Sequence, residues 1–415
     1  MRILLVTQYF WPETFIINEI VQKIGVLGHS VTVLTGKPNY PDGVVFAGYT
    51  EKGIVRENYA NNVTVIRVPL RSRRSNRSVD LLRNYLSFVK SGLLYFSQLV
   101  KGESFDVIFA LQLSPVTSVI PAIYLSWRKK IPLYAWIQDL WPESLSATGH
   151  IKNNFLIWCV GKLVSWIYRH CDLILAQSHA FIGHIRKYSP ASKVVYYGNS
   201  INIDVTDPGL DARKIKKQVA ALLPARYFNV VFTGNIGTAQ AVESLLEAAI
   251  LLRGNPRFRL VLVGSGSMTS WLQEKISAHG LKNIILAGRY PQQDMQFFYA
   301  RADALLVSLT KREIFALTVP TKIQSYLSAG SPILAAIDGE GARIVHESRA
   351  GFVSGAEDHT GLVANINKMM KMPKTSLKQM GARGRKYFLE HYEMNRQVGK
   401  LLEIFAAGPA KRAGA

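Results

Sequence analysis

Three kinds of residue in the chain have the chemistry of group transfer: glycines that open the backbone to an anion, cations that would hold it, and carboxylates that would take a proton from a hydroxyl. The stretch Phe232 to Gln240 puts Gly234 and Gly237, with Asn235 and Gln240, straight after an apolar run and before a helical pattern through Val242, Leu245 and Leu246. Glycine lets main-chain amides approach a ligand, and the unpaired N–H groups and dipole of a helix start favour negative charge. The amides near Gly237 are therefore expected to meet an anion, although a turn with no ligand would use the same glycines. A second pair, Gly264 and Gly266, ends another apolar run. It falls short of the dinucleotide fingerprint, whose third glycine position is Thr269, and a bare strand-to-helix turn explains it equally well.

Lys322 stands near the start of a helix predicted to begin at Pro320, and Arg289 follows a further apolar run. These are cations placed to hold an anion. A preorganised donor in a closed site is worth about 2.7–4 kcal/mol, against about 0.3–1 kcal/mol for an exposed helix terminus, so the cations should outweigh the dipoles. Glu13, Asp139 and Glu143 lie in loops after predicted strands, where open α/β sheets place ligands. Asp139 is the leading candidate among them for taking a proton from a ligand; alternatively it fixes a turn with Trp141 and Pro142. No metal is expected, because the chain has no Asp-x-Asp pair and its two cysteines, Cys159 and Cys171, lack metal-site spacing.

The elements that must position these groups are read from apolar periodicity. Ile3–Val6, a helical pattern through Ile20, Val21, Ile24 and Leu27, and Val31–Leu34 read as strand, helix, strand. Further strands are predicted at Val63–Val68, Val107–Leu111, Pro132–Ile137 and Leu173–Ala176, so residues 1–195 read as one doubly wound α/β domain. A loose segment, Asn199–Gly209, follows. Strands resume at Asn229–Thr233, Arg259–Val263, Asn283–Ala287 and Ala304–Ser308, giving a second domain over residues 196–385. A last amphipathic helical stretch from about Ser376 to Phe405 and a Gly- and Ala-rich tail close the chain.

The formal charge of +22 calls for an anionic partner. Residues 1–200 hold 22 Lys and Arg against 11 Asp and Glu, half of the excess, so no basic tail explains it. Nucleic acid, anionic lipid and phosphorylated small molecules all satisfy that number. Leu81–Val100 and Phe155–Tyr168 are apolar with basic flanks, but Arg83, Lys90 and Lys162 interrupt them too soon for a membrane span. Both read as helices lying on a membrane surface, with ordinary core helices as the alternative. Six arginines from Arg67 to Arg83 add to the membrane reading, at about 1 kcal/mol per cation near an anionic leaflet. Pro12 and Glu13 end the first apolar run too early for a signal sequence, so a cytoplasmic, reducing home is expected.

The run Thr318–Ala336 resembles the donor-binding signature of GT-B glycosyltransferases of family four, and the resemblance covers nearly the full length. Gln8–Thr14 and Leu27–Thr35 are similar to early segments of that family. Lys37–Pro41, Ile137–Ser144 and Met380–Tyr392 resemble the subgroup that builds bacterial surface polysaccharides. The resemblance implies an α/β GT-B fold, two Rossmann-like domains facing across a cleft, with a final segment, 386–415, whose helix crosses back to the first domain. It implies donor contacts from Gly234, Asn235, Gly237, Gln240, Gly264, Gly266, Arg289, Pro320 and Ser325. Lys322, near the pyrophosphate, and Asp139 would be catalytic, with acceptor contacts from Glu13, Thr14, Asn39, Tyr40 and Glu143. The family's two glutamates fall on Leu317 and Ser325, and its basic pair on Asn235 and Gln240. Neutralising the diphosphate would therefore rest on Lys322 and Arg289.

The expectation is a metal-independent glycosyltransferase with no cofactor, peripheral on the inner face of the cell membrane. It would move a sugar from a UDP-sugar to a lipid-linked saccharide during O-antigen assembly. Within the family, the forms around Gly234 and Lys322 are similar to enzymes that transfer N-acetylated deoxyhexosamines such as N-acetyl-L-fucosamine. An NAD-dependent epimerase or reductase would need glycines in the first βα turn, where Thr7–Glu13 has none. A non-catalytic membrane- or nucleic-acid-binding protein would leave the glycine turns and Lys322 unexplained, and nucleic acid is not expected as a partner.

Overall fold

The computed structural model describes residues 1–74, 77–147, 153–202 and 212–408, and the chain divides into two units. One is Met1–Asn202 with Met394–Ala415, the other Ile203–Glu393. Residues 203–209 of the expected loose segment and 409–415 of the expected tail lie outside the described residues.

The first unit is built on eight strands: β1 (Arg2–Val6), β2 (Ser30–Thr35), β3 (Val55–Ala60), β4 (Val63–Arg67), β5 (Val107–Gln112), β6 (Leu133–Ile137), β7 (Leu173–Ala176) and β8 (Val194–Tyr196). Their order is β3-β4-β2-β1-β5-β6-β7-β8, and every pair is parallel except β3 with β4. The central strands are apolar apart from Arg2 and Gln112 at their ends, because helices cover both faces of such a sheet. Helix α1 (Ile16–Val26) buries Ile17, Ile20, Val21 and Ile24, a stripe at helical spacing. Leu27, expected on the same face, lies past the helix end and is exposed. Helices α2 (Ser78–Leu99) and α3 (Ile120–Lys129) follow β4 and β5, and they pack together.

The stretch read as one helix from about Ser376 to Phe405 is two. Lys374–His391 ends where Tyr392 leaves helical geometry, and Met394–Ala407 belongs to the first unit. There Met394, Val398, Leu401, Ile404 and Phe405 complete the core with Ile3, Ile20 and Phe109. The Phe405 ring centre is 5.3 Å from Phe109 and 5.6 Å from Tyr134. Tyr197 is fixed between two neighbours, accepting from Trp136 Nε1 at 3.0 Å and donating to the Gln397 carbonyl at 3.2 Å.

The second unit carries β9 (Phe228–Thr233), β10 (Phe258–Val263), β11 (Ile284–Gly288), β12 (Ala304–Ser308), β13 (Ile333–Ala336) and β14 (Gly351–Ser354), all parallel, in the order β11-β10-β9-β12-β13-β14. In each sheet the order reverses beside the first strand, between β1 and β5 and between β9 and β12. Such reversals open a crevice at the carboxyl ends of the strands.

Outside its own helix, Phe405 packs in a core built from residues of the range Ile3 to Tyr197. Phe405→Ala should lower the unfolding free energy of the first unit by about 3–5 kcal/mol, read from urea denaturation. An unchanged midpoint would show that the terminal helix does not complete this core.

Candidate active site

The crevice of the second unit begins where β9 ends. Gly234 takes φ +114° and Gly264, at the end of β10, takes φ +143°. A Cβ on Gly264 would stand 1.8 Å from the Gly234 carbonyl oxygen, and one on Gly266 would stand 2.3 Å from that of Ile236. The two turns are thus pressed main chain to main chain, which only glycine allows. Gly234 N–H donates to Val263 at 2.8 Å, Ile236 N–H to Ser265 at 3.0 Å, and Gly264 N–H to Gly288 at 2.7 Å. The Gly237 N–H goes to Gln240 Oε1 at 3.2 Å, which Asn235 Nδ2 also approaches at 3.4 Å.

This corrects the expectation that free amides near Gly237 receive an anion. Those of Gly234, Ile236 and Gly237 are already donated within the protein, because closing the turn consumes them. Gly266 serves the contact between the turns, Gln240 braces the loop, and Pro320 precedes the helix Thr321–Ala329 as its cap.

Six of the expected residues, Gly234, Asn235, Gly264, Arg289, Lys322 and Ser325, line one groove of about 490 Å³. Its other walls come from Thr233, Val263, Ser265, Tyr290, Gln292, Met295, Tyr299 and Thr321, which the sequence reading did not single out. Gly237, Gln240, Gly266 and Pro320 lie beside it rather than on its wall. Tyr299 is placed through Thr233, whose Oγ1 lies 3.5 Å from the Tyr299 hydroxyl and 3.1 Å from that of Tyr326. Tyr326 also accepts from the Thr233 N–H at 3.2 Å and donates to the Leu306 carbonyl at 3.3 Å, so a buried phenol ties the helix Thr321–Ala329 to β9 and β12. No periodic signal marks these tyrosines.

Among the described residues the groove wall carries Lys322 and Arg289 and no carboxylate. Lys322 Nζ lies 3.7 Å from the centre of the Phe232 ring, and no ion pair among the described residues includes it. Burial lowers its pKa to about 7. A Cβ on Gly234 would come within 2.9 Å of Lys322 Cε, so the left-handed glycine also makes room for the lysine. Arg289 Nε donates to Ser265 Oγ. Two cations with no counter-charge in a concave, partly apolar wall form a receptor for an anion.

In the first unit, Glu13, Thr14, Asn39, Tyr40, Asp139 and Glu143 follow β1, β2 and β6 at the carboxyl edge of the sheet. Glu13 is buried, and its carboxylate accepts from the amides of Asn39 and Tyr40, both at 2.8 Å, and of Phe10 at 3.1 Å. Burial pushes its pKa up to about 7 against those amides, and it joins two loops rather than facing outward. Thr14 is exposed. Asn39 is buried and accepts from the Arg73 N–H at 3.2 Å, while the Tyr40 ring rests beside Tyr9 and Phe15. Asp139 accepts from Ser144 Oγ and, at 3.3 Å, from Trp141 Nε1; burial raises its pKa, which makes it a better proton acceptor near neutrality. Glu143 Oε1 lies 3.2 Å from His184 Nδ1. No group of three or more His, Cys, Asp or Glu among the described residues forms a metal site.

Residues 15–200 match the family described as glycosyl transferase 4-like domain, and residues 227–372 match glycosyl transferases group 1. WbjE of Pseudomonas aeruginosa, named as a glycosyltransferase, is 25% identical over 310 residues, covering 73% of this chain and 76% of its own. WcaI of Escherichia coli K12, named for colanic acid biosynthesis, is 24% identical over 323 residues, 75% and 76% of the two chains. Anabaena HepE, solved in complex with UDP, superposes with a TM-score of 0.68 at 17% identity over 98% of this chain and 100% of its own.

The unpaired lysine sets a stability test. The folded protein releases the Lys322 proton at about 7, whereas the unfolded chain keeps it to 10.5, so wild-type stability rises with pH across that interval. Lys322→Met should melt above wild type at pH 6, the gap narrowing toward pH 10. A pH-independent gap would mean that Lys322 is not desolvated.

Proposed function

Since the chain belongs to the group 1 glycosyltransferases, with the GT-B fold, we propose that it moves a sugar from a UDP-sugar to a lipid-linked saccharide during surface-polysaccharide assembly. The carrying observation is the acid-free groove beside Gly234, where Lys322 and Arg289 meet walls wide enough for a nucleotide. A diphosphate leaving group gains negative charge as the glycosidic bond breaks. Lys322, held in place by its neighbours, would stabilise that charge, and binding would favour its protonated form. Tyr290, Met295 and Tyr299 supply apolar and aromatic surface for a base or sugar. Asp139 would face the acceptor hydroxyl and receive its proton. Of the donors, an N-acetylated deoxyhexosamine suits the motif forms around Gly234 and Lys322.

Membrane association belongs to the same reading. Val79, Leu82, Leu86 and Leu93 form an exposed apolar stripe along α2. Trp127 on α3 and Trp166 on the helix Asn154–Arg169 meet edge to face at 6.2 Å with both rings partly in solvent, and Phe155, Leu156 and Trp158 continue that surface. Tryptophans flanked by Arg128, Lys162 and Arg169 suit the membrane–water interface, and no helix among the described residues is long and apolar enough to cross a membrane. Arg67 drops out of the basic cluster: it is buried, paired with Glu57 and donating to the Trp11 carbonyl.

UDP at a hundred times its Kd should stabilise the protein by about 2.7 kcal/mol, and Lys322→Ala should lose most of the matching rise in melting temperature. A response equal to wild type would remove Lys322 from the site. In transfer assays with a panel of UDP- and GDP-sugars and lipid-linked acceptors, Asp139→Asn should keep the UDP response while turnover falls about 100-fold or more. Full turnover would end its acceptor role. Replacing Trp127, Trp158 and Trp166 by Ser should shift the protein from vesicles to the supernatant in flotation; undiminished flotation would count against the aromatic surface.

A further inference from the structure

Another concavity, of about 320 Å³, lies in the first unit between the segment after β4 and helix α2. Four cations line it, Lys52, Arg71, Arg74 and Lys90, against one carboxylate, Glu51. Glu51 accepts from the Ser72 N–H at 2.9 Å and from Ser72 Oγ, and its charge also acts on Arg74 and Arg71, so the cations exceed the carboxylate without standing wholly uncompensated. Arg71 Nε is buried with no hydrogen-bond partner among the described residues.

The arginine segment is fixed residue by residue. Leu70 N–H donates to the Glu51 carbonyl at 3.0 Å and Arg71 N–H to Ser87 Oγ at 3.0 Å, while the Arg71 carbonyl accepts from Asn84 Nδ2 at 2.6 Å. Arg73 N–H donates to Asn39 Oδ1 at 3.2 Å, and Arg74, at φ +50°, donates to the Gly43 carbonyl at 2.8 Å. A solvated basic loop needs no such anchoring. Here Asn84, fully buried on α2, accepts from Gln8 Nε2 at 2.7 Å and donates through its Nδ2 to the backbone of a segment whose cations face a hollow. A backbone fixed in this way lowers the ordering cost of binding an anion, with only the side chains left to settle.

The helix wall changes character along its length. Ser87, Lys90 and Ser91 give way to Leu94 and Tyr95, both exposed, with Leu93 beside them. The hollow therefore offers cations at one end and apolar surface at the other. Asn39, which takes the Arg73 N–H, belongs to the loop that Glu13 holds, so the hollow is wired to the acceptor-side loops.

We infer that this groove holds the diphosphate of a lipid-linked acceptor, Arg71, Arg74, Lys52 and Lys90 neutralising the two phosphates while the first apolar units of the chain lie along Leu93 and Leu94. The inference rests on the lipid-linked acceptor reading above and adds the subsite. A bulk anionic phospholipid shares the chemistry of phosphate on an apolar chain, but four cations match a diphosphate better than a single phosphodiester.

The test is co-flotation of the full chain with phosphatidylcholine vesicles carrying either farnesyl diphosphate or phosphatidylglycerol at matched surface charge. Wild type should prefer the diphosphate vesicles, and the preference should fall about fivefold for each cation removed in Arg71→Ser/Arg74→Ser and, separately, in Lys90→Gln. The backbone bonds that anchor the segment do not use those side chains, so the variants should melt as wild type does. Lys90→Gln, on the exposed side of α2, gives a second reading if the double variant melts early. Equal binding of the two vesicle types by wild type, or unchanged diphosphate binding by well-folded variants, overturns the proposal. Transfer assays separate its fate from that of the acceptor reading. Glycosylation of a lipid-linked acceptor with unchanged KM in the variants ends the groove and leaves the reading standing. Groove-dependent diphosphate binding with no lipid-linked acceptor used ends the acceptor reading and, with it, the groove's role as an acceptor subsite, leaving only a site for diphosphate lipids.

Discussion

An ammonium group held half out of water against the Phe232 ring, with no carboxylate in reach among the described residues, is the constraint around which the second unit is arranged. Desolvating a charge costs free energy that must be recovered elsewhere. A neutralising glutamate would recover it inside the protein and cancel the site. Leaving the lysine unpaired keeps the groove receptive to an anion at the expense of stability, which is the usual trade at a functional site. The geometry around it follows. Gly234 turns left-handed so that its missing Cβ clears the lysine stem, Gly264 and Gly266 let the next turn close on the first, and Tyr326 fixes the helix that carries Lys322.

The first unit solves a different problem with the same kind of sheet. Its loops are joined by polar side chains that face inward: Glu13 gathers three amides, Asn84 and Asn39 hold the arginine segment, and Arg67 is buried among carbonyls and Glu57. Hydrogen bonds to backbone are what make irregular loops rigid, since buried amides must be paired. The exposed tryptophans and the stripe on α2 lie outside that network.

Much of this was legible in the sequence, for a physical reason. Parallel strands covered on both faces are uninterrupted apolar runs, and β1, β5, β6, β9 and β12 could be found that way. β3 could not: Val55–Ala60 is an antiparallel edge strand carrying Arg56 and Glu57, and its polarity reads as loop. Glycines that lie against carbonyl oxygens were visible as turn residues, but which amides stayed free was not, because that depends on Val263, Ser265 and Gln240 arriving from elsewhere in the fold. Tyr299 and Tyr326 carry no signal in the sequence, because phenols have no spacing rule. Glu13 was noticed as a carboxylate on a loop, yet its burial beneath Asn39 and Tyr40 is a tertiary fact.

The helix Met394–Ala407 packs into a core whose other strands are made within the first two hundred residues. On the ribosome this inverts the customary order of maturation. The stretch Ile203–Glu393 is contiguous and can close as soon as it emerges, whereas the amino-terminal sheet waits, with the seat for Phe405 unfilled, until Met394–Ala407 has been made. Until that helix is made, the nascent chain carries an apolar slot, exposed hydrophobic surface of the kind that holdase chaperones cover.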